Sequence, residues 1–170
     1  MTGLIATLAL VFFAVIVLRA GIGDLVTMKI PNKLILTLLV GYAVLVPFAG
    51  LSLVQIVLNM MAATAVFWLA FGAFAYGWMG GGDVKLMAVV ALWLGLPLVP
   101  AFLVWTSVFG GVLTVALLLY RVVPISAAGF GQIAWAGRLH AREARVPYGV
   151  AIASAALMVF LSSPWTASLL

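Results

Sequence analysis

Six long apolar runs, separated by short breaks rich in glycine, proline and charge, dominate this sequence and constrain its fold. A helix that crosses the hydrocarbon core of a bilayer needs about 20 predominantly apolar residues, and the runs approach that length. The runs are residues 3–20, 33–50, 53–78, 84–98, 99–122 and 147–165. They predict an all-α polytopic membrane protein in which residues 1–170 form a single domain with six transmembrane helices.

The composition supports this class and excludes others. Hydrophobic residues make up 68% of the chain and charged residues 6%, whereas soluble domains carry about 25% charged residues. The net charge of +5 rests on so few groups that contact with membrane lipids explains it better than nucleic acid, and no nucleic-acid partner is expected. The chain has no cysteine, one histidine and three acids. This excludes a thiol nucleophile and thiolate metal ligands, and no metal site is expected.

The basic residues predict an orientation in the membrane. In a chain with six spans the first, third and fifth breaks lie on the same side, and all eight basic residues lie in or beside these breaks. They are Arg19, Lys29, Lys33, Lys85, Arg121, Arg138, Arg142 and Arg145. Because basic residues accumulate on the cytoplasmic side, this side is predicted to be cytoplasmic, with both termini on the non-cytoplasmic side.

The fifth break, residues 121–146, is predicted to be a cytoplasmic interfacial segment. Arg138, Arg142 and Arg145 fall on one helical stripe beside apolar residues, which is typical of an amphipathic helix at the membrane surface. Two interpretations stay open: a connector anchored to lipid, and a surface on which a substrate docks. His140 lies here too, but the sequence predicts no nucleophile or acid partner that would make it catalytic.

Two aspartates are the candidate reactive groups. Asp24 and Asp83 are the only aspartates in the chain, and each follows a Gly-x-Gly pattern, at 21–23 and 80–82. The predicted orientation places both on the cytoplasmic side at similar depth. A carboxylate at membrane depth is costly and usually faces a cavity with a function. For either residue alone, a helix cap or a packing hydrogen bond is the structural alternative.

Paired carboxyl groups can carry a specific chemistry. Two of them held close together share one proton, because both cannot ionise cheaply. The ionised group takes a proton from water as the water attacks a carbonyl, and the protonated group polarises that carbonyl, as in aspartic proteases. Asp83 begins the fourth span and Asp24 follows the first, so the helix dipole predicts an ionised Asp83 and a protonated Asp24. Alternatively, the pair could relay protons or bind cations in a small carrier.

Three motifs, in order along the chain, carry a resemblance to a known family. Asp24 is followed by Lys29-Ile30-Pro31-Asn32, then Gly80-Gly81-Gly82-Asp83-Val84-Lys85-Leu86-Met87, then Val146-Pro147-Tyr148-Gly149-Val150-Ala151. With these motifs the sequence resembles the type IV prepilin peptidases, which are intramembrane aspartic peptidases, and especially the small form associated with tight-adherence (Flp) pili. The resemblance implies that Asp24 and Asp83 are the catalytic dyad. It implies supporting roles for Gly80, Gly82, Lys85, Pro31, Asn32, Pro147, Tyr148 and Gly149.

The same resemblance implies an endopeptidase that removes a short basic leader from type IV prepilin or pseudopilin precursors at the cytoplasmic face of the bacterial inner membrane. Larger members also methylate the new N-terminus and carry a cytoplasmic region with paired cysteines. This chain has no cysteine and no room for that region between its first two spans, so neither N-methyltransferase activity nor a cofactor is expected. The runner-up function is a proton- or ion-coupled carrier that uses the same aspartates. The sequence leaves the particular pilin and the oligomeric state open.

Overall fold

A computed structural model describes residues 3–122, 134–140 and 146–166. The secondary structure in these ranges is entirely helical, which confirms the all-α prediction. The α-helices are α1 (Gly3–Thr27), α2 (Asn32–Leu45), α3 (Leu53–Ala75), α4 (Gly81–Leu94), α5 (Val99–Val122), α6 (Ala134–His140) and α7 (Tyr148–Phe160). Short 3₁₀ helices at Val46–Phe48 and Leu96–Leu98 follow α2 and precede α5.

Helix α4 lies at the centre of the bundle. It is only 14 residues long, and ten of them are buried. Helices α2, α3 and α7 pack against it, and α7 also packs against α1 and α5. At its C-terminal end the Trp93 indole N–H donates to the Leu38 carbonyl of α2 at 3.1 Å. The Trp165 indole N–H donates to the Trp93 carbonyl at 2.8 Å, so this end of α4 is fixed on two sides.

Gly95 terminates α4 in a conformation that requires glycine. Its backbone has φ +80° and ψ 161°, a region that is essentially restricted to glycine. A Cβ at this position would also lie 2.8 Å from Oδ1 of the buried Asn59. The sequence Gly-Leu-Pro therefore ends the central helix and turns the chain into α5.

We expect Gly95→Ala to lower the free energy of unfolding by about 3 kcal/mol, because backbone strain adds to the contact with Asn59. Thermal unfolding of the purified protein in detergent measures this change. The matched control is Gly50→Ala: Gly50 also has a positive φ, +69°, but no atom lies within 4 Å of its Cβ position. Strain alone predicts a loss of about 1 kcal/mol there, so equal losses in the two variants would contradict the role given to Asn59.

Three helices in the described part of the chain are long and apolar enough to cross a membrane: Gly3–Thr27, Leu53–Ala75 and Leu96–Val122. Two shorter apolar helices, Asn32–Phe48 and Tyr148–Phe160, accompany them. Large apolar side chains are exposed along α1, α3 and α5, and extensive exposed apolar surface of this kind is typical of contact with lipid. The chain is therefore a multi-pass membrane protein.

The ends of α1 and α4 differ from the predicted ends of the first and fourth spans, and a glycine explains each difference. Helix α1 continues to Thr27, past the predicted end at residue 20, because Gly21 is a packing position and not a break. A Cβ at Gly21 would lie 2.9 Å from the Ala153 Cβ, so the glycine lets α1 approach α7 closely. Helix α4 ends at Leu94, before the predicted residue 98, because of the turn at Gly95.

The structure describes only parts of the predicted interfacial segment 121–146, including α6. The Arg121 Nε donates to the Leu139 carbonyl at 2.9 Å, which joins α6 to the end of α5. The arginine stripe stays a prediction. Outside the described part lie Arg142, Glu143, Arg145 and the side chain of Arg138.

Candidate active site

Asp24 lies in the last turns of α1 and is buried, with 6% of its surface exposed. Its Oδ2 accepts a hydrogen bond of 2.8 Å from the backbone N–H of Gly149, the second residue of α7. This contact requires glycine, because a Cβ at Gly149 would lie 2.7 Å from the Asp24 Cβ. The close approach of α1 and α7 therefore places the carboxylate at the N-terminus of a second helix.

Asp83 lies in the first turn of α4 and is buried to the same extent, at 6% exposed. Its Oδ2 accepts a hydrogen bond of 3.0 Å from the backbone N–H of Gly80, the residue that caps the helix. An acidic side chain in the third helical position that reaches back to the cap residue is the acceptor half of a capping box. The glycine run thus starts α4 and orients its carboxylate.

The two carboxyl groups border the same cavities at one end of α4. A cavity of about 250 Å³ is lined by Asp24, Met28, Trp78, Met79, Gly80, Asp83, Val146 and Tyr148. A second, of about 550 Å³, is lined by both aspartates together with residues 28–32 and 80–82. No three His, Cys, Asp or Glu side chains within the described ranges are grouped as metal ligands would be. The site therefore combines two buried carboxyl groups with backbone donors and apolar walls.

The segment that connects α1 to α2 packs against the start of α4. Pro31 precedes the first residue of α2, Asn32, whose Oδ1 accepts a hydrogen bond of 3.0 Å from the Lys85 Nζ. A Cβ at Gly82 would lie 3.1 Å from the Ile30 Cβ, a tight contact, so the glycine leaves room for this approach. These contacts hold the segment that follows Asp24 beside the helix that carries Asp83.

Pro147 and Tyr148 place the N-terminus of α7. Pro147 is fully buried and directly precedes the helix. The Tyr148 ring borders the smaller cavity and packs over Gly110 of α5, where a Cβ would lie 3.3 Å from its Cε1. The structure thus brings all the sequence-predicted supporting positions to the neighbourhood of the two aspartates, while their roles stay predictions.

Three apolar residues of the cavities were not singled out from the sequence. Trp78 and Met79 line the smaller cavity, and Met28 lines both. Met28 follows α1 with φ +56°, an uncommon conformation for a residue with a Cβ, and its N–H donates to the Asp24 carbonyl at 2.8 Å. In the sequence, only its position four residues after Asp24 indicates that Met28 could lie near the site. Apolar residues in an apolar chain give little other indication of a site.

The structure adds a contact at Asp24 that bears on the predicted charge states of the two aspartates. The sequence argument placed Asp83 at a helix N-terminus and Asp24 after a helix C-terminus. In the structure each carboxylate accepts a backbone N–H at a helix N-terminus, Asp83 at α4 and Asp24 at α7. Since helix N-termini stabilise negative charge, the N-terminus of α7 opposes the effect of the α1 C-terminus on Asp24. Which of the two aspartates carries the charge stays a prediction.

The fold and the site define a class of protein: a helical membrane protein in which two buried carboxyl groups line one cavity. The sequence profile described as the type IV leader peptidase family matches residues 9–115, a range that includes both aspartates. The chain belongs to this family, which confirms the resemblance.

Curated relatives agree with the family. The chain is 32% identical over 120 residues to the prepilin leader peptidase/N-methyltransferase of Aeromonas hydrophila. The same identity and length hold for the protein of that name from Aeromonas salmonicida (strain A449). Each alignment covers 68% of this chain and 41% of the relative, so the chain spans less than half the length of these relatives. No solved structure matches the chain.

Proposed function

We propose that the chain is an intramembrane aspartic endopeptidase that removes the short basic leader from type IV, Flp-like prepilin or pseudopilin precursors. The observation that carries the proposal is that the two buried carboxyl groups, Asp24 and Asp83, line the same cavities in a member of the leader peptidase family. The carrier alternative uses the same aspartates, but family membership does not favour it.

The proposed reaction needs one proton shared by the two carboxyl groups. The ionised carboxylate takes a proton from water as the water oxygen bonds to the scissile carbonyl carbon, and the protonated carboxyl group gives its proton to the carbonyl oxygen. The C–N bond then breaks, and the leaving amine takes a proton from the carboxyl group that received it from water. At the same time the other carboxylate takes a proton back from one hydroxyl group of the tetrahedral intermediate, which leaves a carboxylic acid and restores the shared proton. The backbone N–H groups of Gly149 and Gly80 hold the two carboxylates in place, which keeps the reacting atoms aligned.

The orientation in the membrane is part of the proposal. A six-span domain over residues 1–170, with both termini on the non-cytoplasmic side, puts the aspartates at the cytoplasmic face of the bacterial inner membrane. Three lysines are exposed near the N-terminal end of α4, the end that carries Asp83: Lys29, Lys33 and Lys85. Their position agrees with that face being basic. The exposed apolar sides of α1, α3 and α5 would contact membrane lipids.

We restrict the proposal to leader cleavage, although the name of the relatives includes an N-methyltransferase. Only residues 28–31 connect α1 to α2, which leaves no room there for the cysteine-bearing region of larger members. The chain also contains no cysteine. The peptidase chemistry described above uses carboxyl groups and water and needs no cofactor.

The test is cleavage of Flp-like prepilin precursors by the purified protein in detergent, followed by mass spectrometry of both fragments. We expect one cut that separates the basic leader, and no cut by the D24N/D83N double variant. If no precursor is cut, and if proteoliposomes show ion or proton uptake that depends on the same aspartates, the carrier replaces the peptidase as the function.

A further inference from the structure

A further cavity lies at the end of α4 opposite to the two aspartates, and we call it the distal cavity. Its volume is about 470 Å³, and neither aspartate lines it. An α-helix rises about 17 Å from residue 83 to residue 94, so the distal cavity is separate from the carboxylate site. Its walls combine parts of α3, the end of α4 and the segment after α7, and they include Leu58, Asn59, Trp93, Leu94, Leu96 and Trp165.

The lining of the distal cavity is mainly apolar and uncharged. Leucine, proline and tryptophan form most of the walls, and no charged side chain of the described residues borders the space. Pockets of about 300–1,000 Å³ with apolar walls and a few polar groups are typical of small-molecule sites. The lining favours an uncharged occupant, because a buried charge without a partner is costly.

Asn59 supplies the distal cavity with an unpaired hydrogen-bond acceptor. The residue is 7% exposed, and its Nδ2 donates to the Tyr42 hydroxyl at 3.5 Å. Within the described part of the chain no donor reaches its Oδ1, which lies beside Gly95, where a Cβ would come within 2.8 Å. The Oγ of Ser163 in the same lining is fully covered, but the Oδ1 of Asn59 is not. An occupant of the cavity can therefore reach this acceptor.

Three common occupants match the distal cavity poorly. A hydrocarbon chain has no donor for Oδ1, and a buried acceptor without a partner is unfavourable. Water would pair with Oδ1, but each buried water molecule needs about two to four polar partners, which the apolar walls do not supply. A polypeptide backbone brings many polar groups that an apolar space cannot pair. The best match is a molecule with an apolar chain and one donating group.

We propose that the distal cavity binds an uncharged single-chain amphiphile whose polar end, an amide or a hydroxyl group, donates a hydrogen bond to the Oδ1 of Asn59. The apolar chain packs against the leucine and tryptophan side chains of the walls. A bound molecule joins α3 to the end of α4, and it stabilises the folded protein because the unfolded chain has no such site. The site is independent of the proposed peptidase function.

The first test is photoaffinity labelling of the protein in lipid nanodiscs with a decanamide that carries a diazirine in its chain. We expect adducts within residues 93–98, found by mass spectrometry. Excess decanamide should remove them, whereas methyl decanoate, which has no donor, should not. Asn59→Leu should lower the labelling at least about tenfold, because the acceptor is lost. Thr64→Val is the matched control, since Thr64 is exposed on the same helix outside the cavity.

The second test fills the distal cavity from its edge, so that a folding defect of the Asn59 variant does not decide the result. Leu58 lines the cavity and is 37% exposed, and Leu58→Trp should abolish the labelling. Leu53→Trp is the control, because Leu53 is 77% exposed and lies outside the cavity. Decanamide should raise the Tm of the wild type and of Leu53→Trp, and leave that of Leu58→Trp unchanged.

Three results would overturn the proposal: no adducts within residues 93–98, equal competition by decanamide and methyl decanoate, or wild-type labelling of both Asn59→Leu and Leu58→Trp. Equal competition would leave the hydrocarbon chains of lipids as the occupant. Neither labelling nor Tm depends on cleavage of a precursor, so failure of this proposal and failure of the peptidase proposal are distinct results.

Discussion

Replacing either Asp24 or Asp83 with asparagine is expected to lower the rate of precursor cleavage by about 10³-fold or more. Asparagine has the shape of aspartate, and its side-chain oxygen can still accept the N–H of Gly149 or Gly80 that each carboxylate accepts now. The helices should therefore stay packed, while the group can no longer take or give the shared proton. Single-turnover cleavage of a precursor by the purified variants, followed by mass spectrometry, measures the effect.

The two aspartates should act as one unit. When two residues act together in one step, the effects of their substitutions on the rate do not add. The D24N/D83N double variant should therefore be no slower than the slower single variant. Glu143→Gln removes the only other acidic side chain of the chain and serves as the control, with cleavage close to that of the wild type. An Asp24→Asn or Asp83→Asn variant that retains a tenth of the wild-type rate would argue against the dyad.

Gly149→Ala is expected to lower cleavage about 100-fold, although it adds a single methyl group. The new Cβ would lie 2.7 Å from the Asp24 Cβ and 2.8 Å from its Oδ2, so either the carboxylate or the start of α7 must move. A displacement of about 1 Å in a catalytic group can cost two orders of magnitude in rate. The measurement is kcat/KM for precursor cleavage, together with thermal unfolding to show that the variant is folded.

The control for Gly149 is another glycine-to-alanine change beside the same carboxylate. Gly23 directly precedes Asp24, but its Cβ position makes only an ordinary contact of 3.8 Å with the Lys29 carbonyl. Gly23→Ala should keep near-wild-type activity, and since Gly23 lies inside a helix, alanine should also stabilise the protein by up to about 1 kcal/mol. Inactivation by Gly23→Ala, with activity kept in Gly149→Ala, would reverse the roles that the geometry gives to these positions.

The sequence was most informative where polar groups are rare. In a chain with 6% charged residues, two aspartates behind glycines stand out as candidate groups, and the structure brings Asp24 and Asp83 to common cavities. The all-α fold followed from the length of the apolar runs, and the family followed from motif order. The count of six spans and the orientation rest on the charge pattern, and they stay predictions.

Other features could not be read from the sequence for physical reasons. The donor to Asp24 is a backbone N–H, 125 residues away along the chain, and a backbone donor has no side-chain signature. Gly21 looked like the end of a helix, because glycine is a poor helix former, yet packing against Ala153 keeps it helical. Met28, Trp78 and Met79 were missed because their chemistry does not differ from that of the many apolar residues around them.

The position of α7 has a consequence for biosynthesis. Its N-terminus donates the backbone N–H that holds Asp24, and Phe160 at its other end stacks on Phe13 of α1 with ring centroids 4.0 Å apart. Both contacts come from residues translated after α1 to α5. A nascent chain that has inserted only its first five helices therefore lacks the donor that holds Asp24 and has an incomplete core. We expect such a chain to have no peptidase activity until α7 has entered the membrane.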